Sequence, residues 1–501
     1  MQALMLAAGM GKRLQKYTNN NTKCMLEVAG KKLIDRAIDA IKFAGIKKFG
    51  IVVGYQKDNL INYLTQKYAD DRNIEFEFIS NDIYDKTNNI YSLYLARDFF
   101  RQDDTVLLES DLIFDKDVIK KVVIDKNPNI AVVAKYTSWM DGTVVNVGKD
   151  RIITQFIEKK DFDFGKVDGY YKTVNIYKFS KDFINNQYLP FLTAYIQAYG
   201  QNEYYETVLK AISHLSRSDI AAYELTKEKW YEIDDAQDLD IATALFSRGE
   251  EKLRHMQNKY GGYWRYDGLV DFCYLVNPYF PTAKMSEKIK NEFDVLMRQY
   301  PSGLNVQNLN AGRMFNVSPE YLLVGNGAAE LINTLQEVVK GRLGVCVPTF
   351  NEYIRCFPRC EIVKLNTSLT DYAYDTAKIL EHIDKVDNMV LINPDNPSGS
   401  FIKFDDIIKI LQKCEREGKL LIFDESFIDF ADREVRYSLI KDEILEKYQN
   451  LIVIKSISKS YGVPGLRLGV MACANKDIVA KVRAKMAVWN INSFAEYFLQ
   501  V

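Results

Sequence analysis

The chain has 501 residues and a formal net charge of −1 at pH 7. This charge balance argues against a nucleic-acid partner, and no apolar run of the sequence is long enough to span a membrane. Three histidines, and seven cysteines without metal-binding spacing, argue against a His or Cys metal site. We therefore expect a reduced, cytoplasmic protein. A chain of this length forms roughly two to four domains, each with its own core.

The chain begins with a short apolar segment, residues 3–8, which predicts a strand that leads into a glycine-rich turn. The turn contains Gly9 and Gly11 and is followed by Lys12 and Arg13. Free backbone N–H groups and basic side chains at such a turn bind phosphate well, although glycines also occur in ordinary turns. The longer pattern, which Lys23 follows, is more specific and reads Leu6-Ala7-Ala8-Gly9-x-Gly11-x-Arg13-Leu14.

Alternating strands and helices follow this turn. Strands are predicted over residues 49–53, 75–80 and 106–108, and helices over 33–43 and 58–68. This order predicts a mostly parallel sheet with ligands at the carboxyl ends of its strands. Asp111 follows one such end, and Asp234 and Asp235 lie in a later acidic cluster. Carboxylates suit Mg²⁺, but Asp234 or Asp235 can instead cap the helix that follows, and both roles can hold, one for each residue.

These segments resemble the sugar-nucleotide-type nucleotidyltransferases, which join a nucleoside triphosphate to a phosphorylated acceptor. Two further segments, residues 88–94 and 232–239, look like the cytidylyltransferases that activate phosphocholine and related small amines. The resemblance implies that Arg13 and Lys23 contact the triphosphate and that Asp111 and Asp234 hold Mg²⁺. The residues that it implies for nucleotide binding are Leu6, Ala8, Gly9, Gly11, Asn88, Asn89 and Ser92. Asn89 and Ser92 have an alternative explanation, since both residue types cap helices.

The acceptor pocket is harder to place from sequence. A small amine requires carboxylates or aromatic faces around its cation. The candidates are Trp139, Asp141, Tyr204, Tyr205 and Glu206. Core packing explains the aromatic residues at least as well. A carboxylate would suit a primary ammonium, and an aromatic box would suit a quaternary one.

The two halves of the chain differ in their motifs, and we place the boundary between them near residue 250. Apolar spacing at Ile241, Leu245 and Leu253 predicts a helix over residues 236–259, which Gly261 and Gly262 end. The predicted organisation is a nucleotidyltransferase domain over residues 1–245, a helical linker over 246–260 and a second domain over 261–501.

The second half contains a lysine, Lys459, shortly after an apolar strand predicted over residues 451–454. A partly desolvated lysine has a lowered pKa and can form a Schiff base with an aldehyde cofactor. The hydroxyls of Ser456 and Ser458, with Arg467, can hold a phosphate beside it. A strand-to-loop junction with an exposed lysine is the plainer alternative.

Four other polar segments also begin where a predicted strand ends. They favour a Schiff-base lysine over an exposed lysine at a strand-to-loop junction. The segments are Gly325-Asn326-Gly327-Ala328, Pro348-Thr349-Phe350, Asn393-Pro394-Asp395-Asn396 and Asp424-Glu425-Ser426-Phe427. With Lys459 they resemble the fold-type I enzymes that use pyridoxal phosphate (PLP). Within that fold, the half is most similar to histidinol-phosphate aminotransferases and threonine-phosphate decarboxylases.

This second resemblance implies a role for each segment. Lys459 would bind PLP covalently, Asp424 would keep the pyridine nitrogen protonated, and Asn396 would contact the phenolate oxygen. Phe350 would stack on the ring, with Tyr353 as the alternative. The residues that it implies for the PLP phosphate are Gly327, Ala328, Ser456, Ser458 and Arg467, together with Tyr300 from the partner subunit of a homodimer.

Two departures from this family pattern bear on the activity. Phe427 stands where many aminotransferases have a tyrosine, and threonine-phosphate decarboxylases often have phenylalanine there. The sequence also ends at Val501, before the small C-terminal domain of the family, so no arginine for a substrate carboxylate can be named. We expect an α/β fold throughout, with a Rossmann-like nucleotidyltransferase domain and a fold-type I PLP-dependent transferase domain.

The whole chain resembles bifunctional phosphonate enzymes that fuse a cytidylyltransferase to a 2-aminoethylphosphonate transaminase. Such an enzyme would aminate phosphonoacetaldehyde with an amino-acid donor and then transfer CMP from CTP to the amine, releasing pyrophosphate. One alternative is a phosphoethanolamine or phosphocholine cytidylyltransferase fused to a PLP-dependent decarboxylase of an amino-acid phosphate. Another is that the second half is a non-catalytic scaffold for dimerisation.

Overall fold

The structure is a computed structural model that describes residues 1–157, 161–215, 219–266, 268–367 and 371–501. It divides into two compact units, Met1–Leu269 and Val270–Val501. Both units are α/β, which confirms the predicted fold class. The predicted linker, residues 246–260, lies within the first unit, and its role as a separate linker stays a prediction.

Among its described residues, the first unit has thirteen strands and ten α-helices. Its strands are β1 (Gln2–Ala7), β2 (Glu27–Val28), β3 (Lys31–Lys32), β4 (Lys48–Val53), β5 (Glu75–Ser80), β6 (Thr105–Glu109), β7 (Leu112–Phe114), β8 (Ile130–Lys135), β9 (Val144–Val147), β10 (Ile153–Ile157), β11 (Tyr170–Phe179), β12 (Ala221–Leu225) and β13 (Trp230–Glu232). Its helices are α1 (Leu33–Phe43), α2 (Lys57–Lys67), α3 (Asn89–Leu95), α4 (Arg97–Phe100), α5 (Asp117–Ile124), α6 (Lys181–Phe183), α7 (Leu189–Tyr199), α8 (Glu206–Leu215), α9 (Ala236–Phe246) and α10 (Gly249–Gln257).

A nine-stranded sheet forms the centre of this unit. Every residue of β1 is buried, as expected for a strand covered on both faces, and β1 lies parallel to both β4 and β6. Leu6 is paired with Glu109, so the carboxyl ends of β1 and β6 meet at one edge of the sheet. A separate antiparallel pair, β7 and β13, places Glu232 opposite Leu112 and brings the second acidic cluster to the same edge.

One predicted local feature differs from the structure. The helix predicted over residues 236–259 is two helices, because Ser247 is extended (ψ 157°) and Gly249 adopts φ +54°, neither of which continues an α-helix. The glycine-rich turn after β1 leads into a 3₁₀ helix, Lys12–Tyr17.

In the part of the second unit that the structure describes, there are seven strands and eleven α-helices. Its strands are β14 (Leu322–Asn326), β15 (Arg342–Val347), β16 (Glu361–Asn366), β17 (Asn388–Ile392), β18 (Leu420–Asp424), β19 (Leu451–Ser456) and β20 (Leu468–Ala472). Its helices are α11 (Ala283–Asn291), α12 (Phe293–Arg298), α13 (Leu304–Phe315), α14 (Gly327–Thr334), α15 (Glu352–Arg355), α16 (Thr376–Ile383), α17 (Phe404–Arg416), α18 (Asp442–Lys447), α19 (Ile457–Ser460), α20 (Lys476–Arg483) and α21 (Ser493–Gln500).

These seven strands form one sheet in the order β14-β20-β19-β18-β17-β15-β16. β20 is antiparallel to both of its neighbours, and the other pairs are parallel. The polar segments predicted from sequence therefore follow β14, β15, β17, β18 and β19. Among the described residues, no helix is long and apolar enough to cross a membrane.

Candidate active sites

The residues predicted for nucleotide, phosphate and metal binding all line one cavity of about 560 Å³ in the first unit. The cavity lies at the carboxyl ends of β1 and β6, where open α/β sheets bind ligands. These lining residues are Leu6, Ala8, Gly9, Gly11, Arg13, Lys23, Asn88, Asn89, Ser92, Asp111 and Asp234.

The glycine-rich turn is fixed by a contact that only glycine allows. Gly11 adopts φ +59°, and a Cβ there would lie 3.1 Å from Thr18 Cγ2. The Thr18 hydroxyl donates to the Gly11 carbonyl at 3.1 Å, and the Leu14 N–H donates to the same oxygen at 3.0 Å. The turn therefore keeps a defined shape at the wall of the cavity.

Lys23 joins the two carboxylates that were predicted to hold a metal. Its Nζ lies 2.7 Å from both Asp111 Oδ2 and Asp234 Oδ1, and Arg13 lies 3.2 Å from the same Asp234 oxygen. Burial alone would lower the pKa of Lys23, but the two carboxylates raise it well above its ordinary value. Lys23 is therefore a permanent cation at the point where the two acidic segments meet.

The residues present fit a magnesium ion. Asp111 Oδ1 is buried and has no hydrogen-bond partner within the described ranges, and both candidate ligands offer the oxygen atoms that Mg²⁺ prefers. In the described part of the chain, no group of three or more His, Cys, Asp or Glu residues is arranged to hold a metal. A magnesium ion would thus take its other ligands from substrate phosphates and water.

Asn88, Asn89 and Ser92, at the start of α3, form hydrogen bonds within the protein. Asn88 caps the helix by accepting from the Asn89 N–H at 2.8 Å, and Ser92 accepts from Asn81 at 3.1 Å. Asn89 donates to Glu109 at 3.0 Å and accepts from the Tyr205 N–H at 3.0 Å. Both ends of the Asn89 side chain are therefore engaged, and its predicted contact with the base stays a prediction.

The cavity also contains acidic residues that sequence reasoning missed, namely Glu109 and Glu232. Glu232 is paired with the buried Lys172 at 3.0 Å and accepts from Asn175 at 3.1 Å. Asn175 has φ +58° within a register shift of β11. Lys172 inside β11 was the signal for this group, because lysines are rarely fully buried without a partner.

The predicted acceptor residues divide between two cavities. Glu206 lines the first cavity, Trp139 lines a second one of about 380 Å³, and Asp141 lines both. Trp139 stacks on Tyr231 with ring centroids 5.0 Å apart. Tyr205 is fully buried and packs edge-on against Tyr177, so core packing accounts for it, whereas the exposed Tyr204 lines the first cavity.

In the second unit, Lys459 lies in the short helix that follows β19. Its amine has no hydrogen-bond or ion-pair partner among the described residues, and it lies 6.0 Å from the Phe427 ring centroid. Burial and the nearby Arg467 lower its pKa. Four residues earlier in the chain, Lys455 forms a salt bridge with Asp429 at 2.8 Å. Of these two lysines, only Lys459 has the free amine that an aldehyde cofactor requires.

Asp424 is a buried carboxylate held by two donors. The Tyr353 hydroxyl donates to it at 2.8 Å and the Ser426 N–H at 2.9 Å. Burial raises the pKa of Asp424, whereas these hydrogen bonds lower it. Tyr353 is itself fully buried behind Asp424, while Phe350 is partly exposed. The geometry therefore favours Phe350 over Tyr353 as the stacking residue.

The predicted phosphate-binding residues come together around the start of α14. A Cβ on Gly327 would lie 2.6 Å from an Arg467 nitrogen, and one on Gly469 would lie 2.5 Å from the Ala328 nitrogen. Arg467 thus lies against the free N–H groups at the start of a helix, a site that suits a phosphate. Ser458 is turned toward the backbone of Leu468, whose N–H it accepts at 2.9 Å. Together, Lys459, Asp424 and this phosphate site fit PLP.

Two more predicted residues occupy different surroundings. Asn396 has no hydrogen bond to another described residue. Its loop is held by Asn393, which donates to the Tyr437 hydroxyl and accepts from the Ile402 N–H. Tyr300 is exposed and stacks on Trp489 with ring centroids 4.3 Å apart. Asn396 is therefore free to bind a ligand, and Tyr300 is accessible to a partner subunit.

Comparison with known proteins agrees with this division. The family model described as "Nucleotidyl transferase" matches residues 2–264, and that described as "Aminotransferase class I and II" matches residues 306–499. A "CMP-5'-(3-aminopropyl)phosphonate synthase" from Streptomyces rubellomurinus is 30% identical over 100% of this chain and 79% of its own length.

Two other relatives each match one half. A "CTP:phosphoglutamine cytidylyltransferase" from Campylobacter jejuni is 32% identical over 40% of this chain and 90% of its own length. An "L-serine phosphate decarboxylase" from Sulfurospirillum multivorans is 33% identical over 46% of this chain and 62% of its own length. The chain therefore belongs to the nucleotidyltransferase family, among enzymes that join such a domain to a PLP-dependent aminotransferase fold.

Proposed function

We propose that the first unit transfers CMP from CTP to a small primary amine that carries a phosphonate, with 2-aminoethylphosphonate as the acceptor. The observation that carries this proposal is the bridge from Lys23 to Asp111 and Asp234, beside Arg13 and the glycine-rich turn. Relatives named for CMP and CTP chemistry support cytidine as the nucleoside. The name of the Streptomyces relative also makes 3-aminopropylphosphonate a second acceptor to test.

The residues of the cavity support an in-line displacement. A phosphonate oxygen attacks the α-phosphorus of CTP, a new P–O–P bond forms, and the bond to the leaving pyrophosphate breaks. Lys23 and Arg13 neutralise the charge that develops on the phosphates, and the turn at Gly9 and Gly11 holds them in position. Asp111 and Asp234 would hold Mg²⁺, which supplies further charge neutralisation. The acceptor dianion is already a nucleophile, so no side chain has to remove a proton.

We propose that the second unit makes the amine. When bound, PLP would supply an electron sink for the substrate carbanion. Lys459 would move a proton through its neutral amine, Asp424 would protonate the ring nitrogen, and Tyr353 would hold that carboxylate in place. Arg467 with the start of α14 would bind the cofactor phosphate.

Two reactions would give such an amine. Transamination of phosphonoacetaldehyde with an amino-acid donor is the first candidate, because its product is the acceptor proposed for the first unit. Decarboxylation of an amino acid bearing a phosphate or phosphonate is the second. Phe427 beside Lys459 favours the second, as do the serine phosphate decarboxylase relatives.

The exposed apolar residues of the second unit support a homodimer. Phe272 and Tyr279 are 91% and 90% exposed, and Tyr300 is 77% exposed. Exposed apolar side chains are typical of an interface where they form one contiguous patch. Light scattering coupled to size exclusion should give twice the mass of one chain, and a monomer at micromolar concentration would contradict this part of the proposal.

Phosphorus NMR with CTP and Mg²⁺ tests the first activity. Separate tubes would contain 2-aminoethylphosphonate, 3-aminopropylphosphonate, phosphoethanolamine and phosphocholine. We expect pyrophosphate and a new P–O–P signal with the phosphonates. Turnover confined to phosphocholine or phosphoethanolamine would contradict the phosphonate assignment.

Amine formation tests the second activity. With phosphonoacetaldehyde, a transaminase gives product only when an amino-acid donor is present. With serine phosphate or the corresponding phosphonate, a decarboxylase gives product without a donor and releases CO₂.

A further inference from the structure

The cavity of the first unit contains two carboxylates that have no cationic partner. Lys23 pairs with Asp111 and Asp234, and Lys172 pairs with Glu232. Glu109 and Glu206 line the same cavity, and neither forms an ion pair with another described residue. Buried carboxylates normally have a positive partner, because burial of an isolated charge is costly.

Glu206 is the clearer of the two cases. It is the first residue of α8 and is only 8% exposed. Its Oε2 atom is buried and accepts no hydrogen bond from the described residues. A buried acceptor without a donor indicates that a group outside the described chain supplies one. Burial also raises the pKa of Glu206 to about 7, although Lys172, which is paired with Glu232, lowers it in part.

The side-chain amide of Asn89 links Glu109 to the backbone beside Glu206. Asn89 donates to Glu109 at the end of β6 and accepts from the N–H of Tyr205, the residue before Glu206. The strand end and the helix start are therefore tied together from two distant parts of the chain. This bridge keeps both carboxylates at the cavity wall.

The lining of this cavity suits a primary ammonium better than a quaternary one. Its aromatic lining residues are Tyr84 and Tyr204, whereas Trp139 lines the other cavity and stacks on Tyr231. A quaternary ammonium requires several aromatic faces. A primary ammonium has three N–H donors, which suit carboxylate oxygens.

We propose that Glu206 and Glu109 bind the ammonium group of the acceptor and select primary amines over trimethylated ones. This inference rests on the proposed CMP transfer and adds the residues that determine its acceptor. Glu206 makes a charge-assisted hydrogen bond to the substrate, and Glu109, fixed by Asn89, provides the second acceptor.

The test compares 2-aminoethylphosphonate with its N,N,N-trimethyl analogue in the wild-type protein and in Glu206→Gln. We expect the wild type to prefer the primary amine in kcat/KM by about 10- to 100-fold, the range of a charge-assisted hydrogen bond. Glu206→Gln should raise KM for the primary amine by a similar factor, leave KM for CTP within about twofold and abolish the preference. Glu206→Asp should restore part of it.

Glu203→Gln is the matched control, because Glu203 is exposed and lies in the same segment. It should behave as the wild type. Equal use of the two amines, or an unchanged acceptor KM in Glu206→Gln, would overturn the inference while leaving CMP transfer intact. Failure of every amine to accept CMP would instead overturn the proposed function on which the inference depends.

Discussion

Each half of the molecule has one lysine in its candidate active site, and the surroundings of the two lysines differ. Lys23 contacts two carboxylates at 2.7 Å and its pKa is raised. Lys459 has no ion-pair partner in the described residues, lies near Arg467 and has a lowered pKa.

This difference shows how one residue type serves two chemistries. A lysine between carboxylates stays charged and suits the binding of phosphates, whereas a desolvated lysine beside another cation can lose its proton and act as a nucleophile or base. We expect substitutions at one lysine to leave the activity of the other site unchanged.

The largest effect is expected at Lys459. Lys459→Ala removes the amine that binds the cofactor and moves the proton, so amine formation should fall by about a thousandfold or more. The absorption band of the protein-bound cofactor should disappear. CMP transfer to added 2-aminoethylphosphonate should be unchanged. Lys459→Arg is the control for charge, and it should lose the same activity.

Lys23→Met should have the opposite pattern. It removes the cation between Asp111 and Asp234, and we expect CMP transfer to fall by about 100- to 1,000-fold, as when a charge-stabilising donor is lost. Amine formation should be unchanged. Lys23→Arg keeps the positive charge and separates this effect from instability, which thermal unfolding would reveal. Loss of both activities in Lys23→Met would contradict the separation.

Tyr353→Phe should weaken only the second site. The hydroxyl that it removes donates to the buried Asp424 carboxylate at 2.8 Å. Loss of a hydrogen bond to a charged group predicts a drop of about 10- to 30-fold in amine formation, with CMP transfer unaffected. A shift in the absorption spectrum of the bound cofactor should accompany it. A normal rate and spectrum would show that Tyr353 only fills space.

The smallest effect concerns pH and tests the acceptor site. Burial raises the pKa of Glu206 to about 7, and the charged or titratable groups facing it are Glu109, Glu232, Lys172 and Tyr205. Above pH 7 Glu206 is ionised and attracts the ammonium, whereas below pH 7 it becomes neutral. The acceptor KM should therefore rise by up to about tenfold between pH 8 and pH 6. The acceptor phosphonate titrates in the same range, so Glu206→Gln is the control: its KM profile contains the phosphonate contribution alone and should be less steep than that of the wild type.

Sequence reasoning located the segments that lie at strand ends. Lys23, Asp111 and Asp234 line one cavity: Asp111 follows β6 of the main sheet, and the antiparallel pair β7 and β13 brings Asp234 to the same edge. Lys459, Asp424 and Asn396 likewise follow the strands expected from apolar runs.

The remaining features depend on packing between distant segments. Asn89 joins Glu109 to the start of α8, and no local pattern indicates that these segments meet. The choice between Phe350 and Tyr353 depends on which ring is buried behind Asp424. Trp139 was assigned with Glu206 to one pocket, but its stacking on Tyr231 places it in the other cavity.

The most direct test of the central claim, that one unit makes the amine and the other activates it, is a single-tube phosphorus NMR experiment. The full chain would be mixed with PLP, Mg²⁺, CTP, phosphonoacetaldehyde and an amino-acid donor. We predict signals of CMP-aminoethylphosphonate and pyrophosphate from the wild type. Lys459→Ala should give them only after 2-aminoethylphosphonate is added. If the wild type also required added amine, the transaminase role would be contradicted, and if added amine gave no product, the claim of CMP transfer would fail.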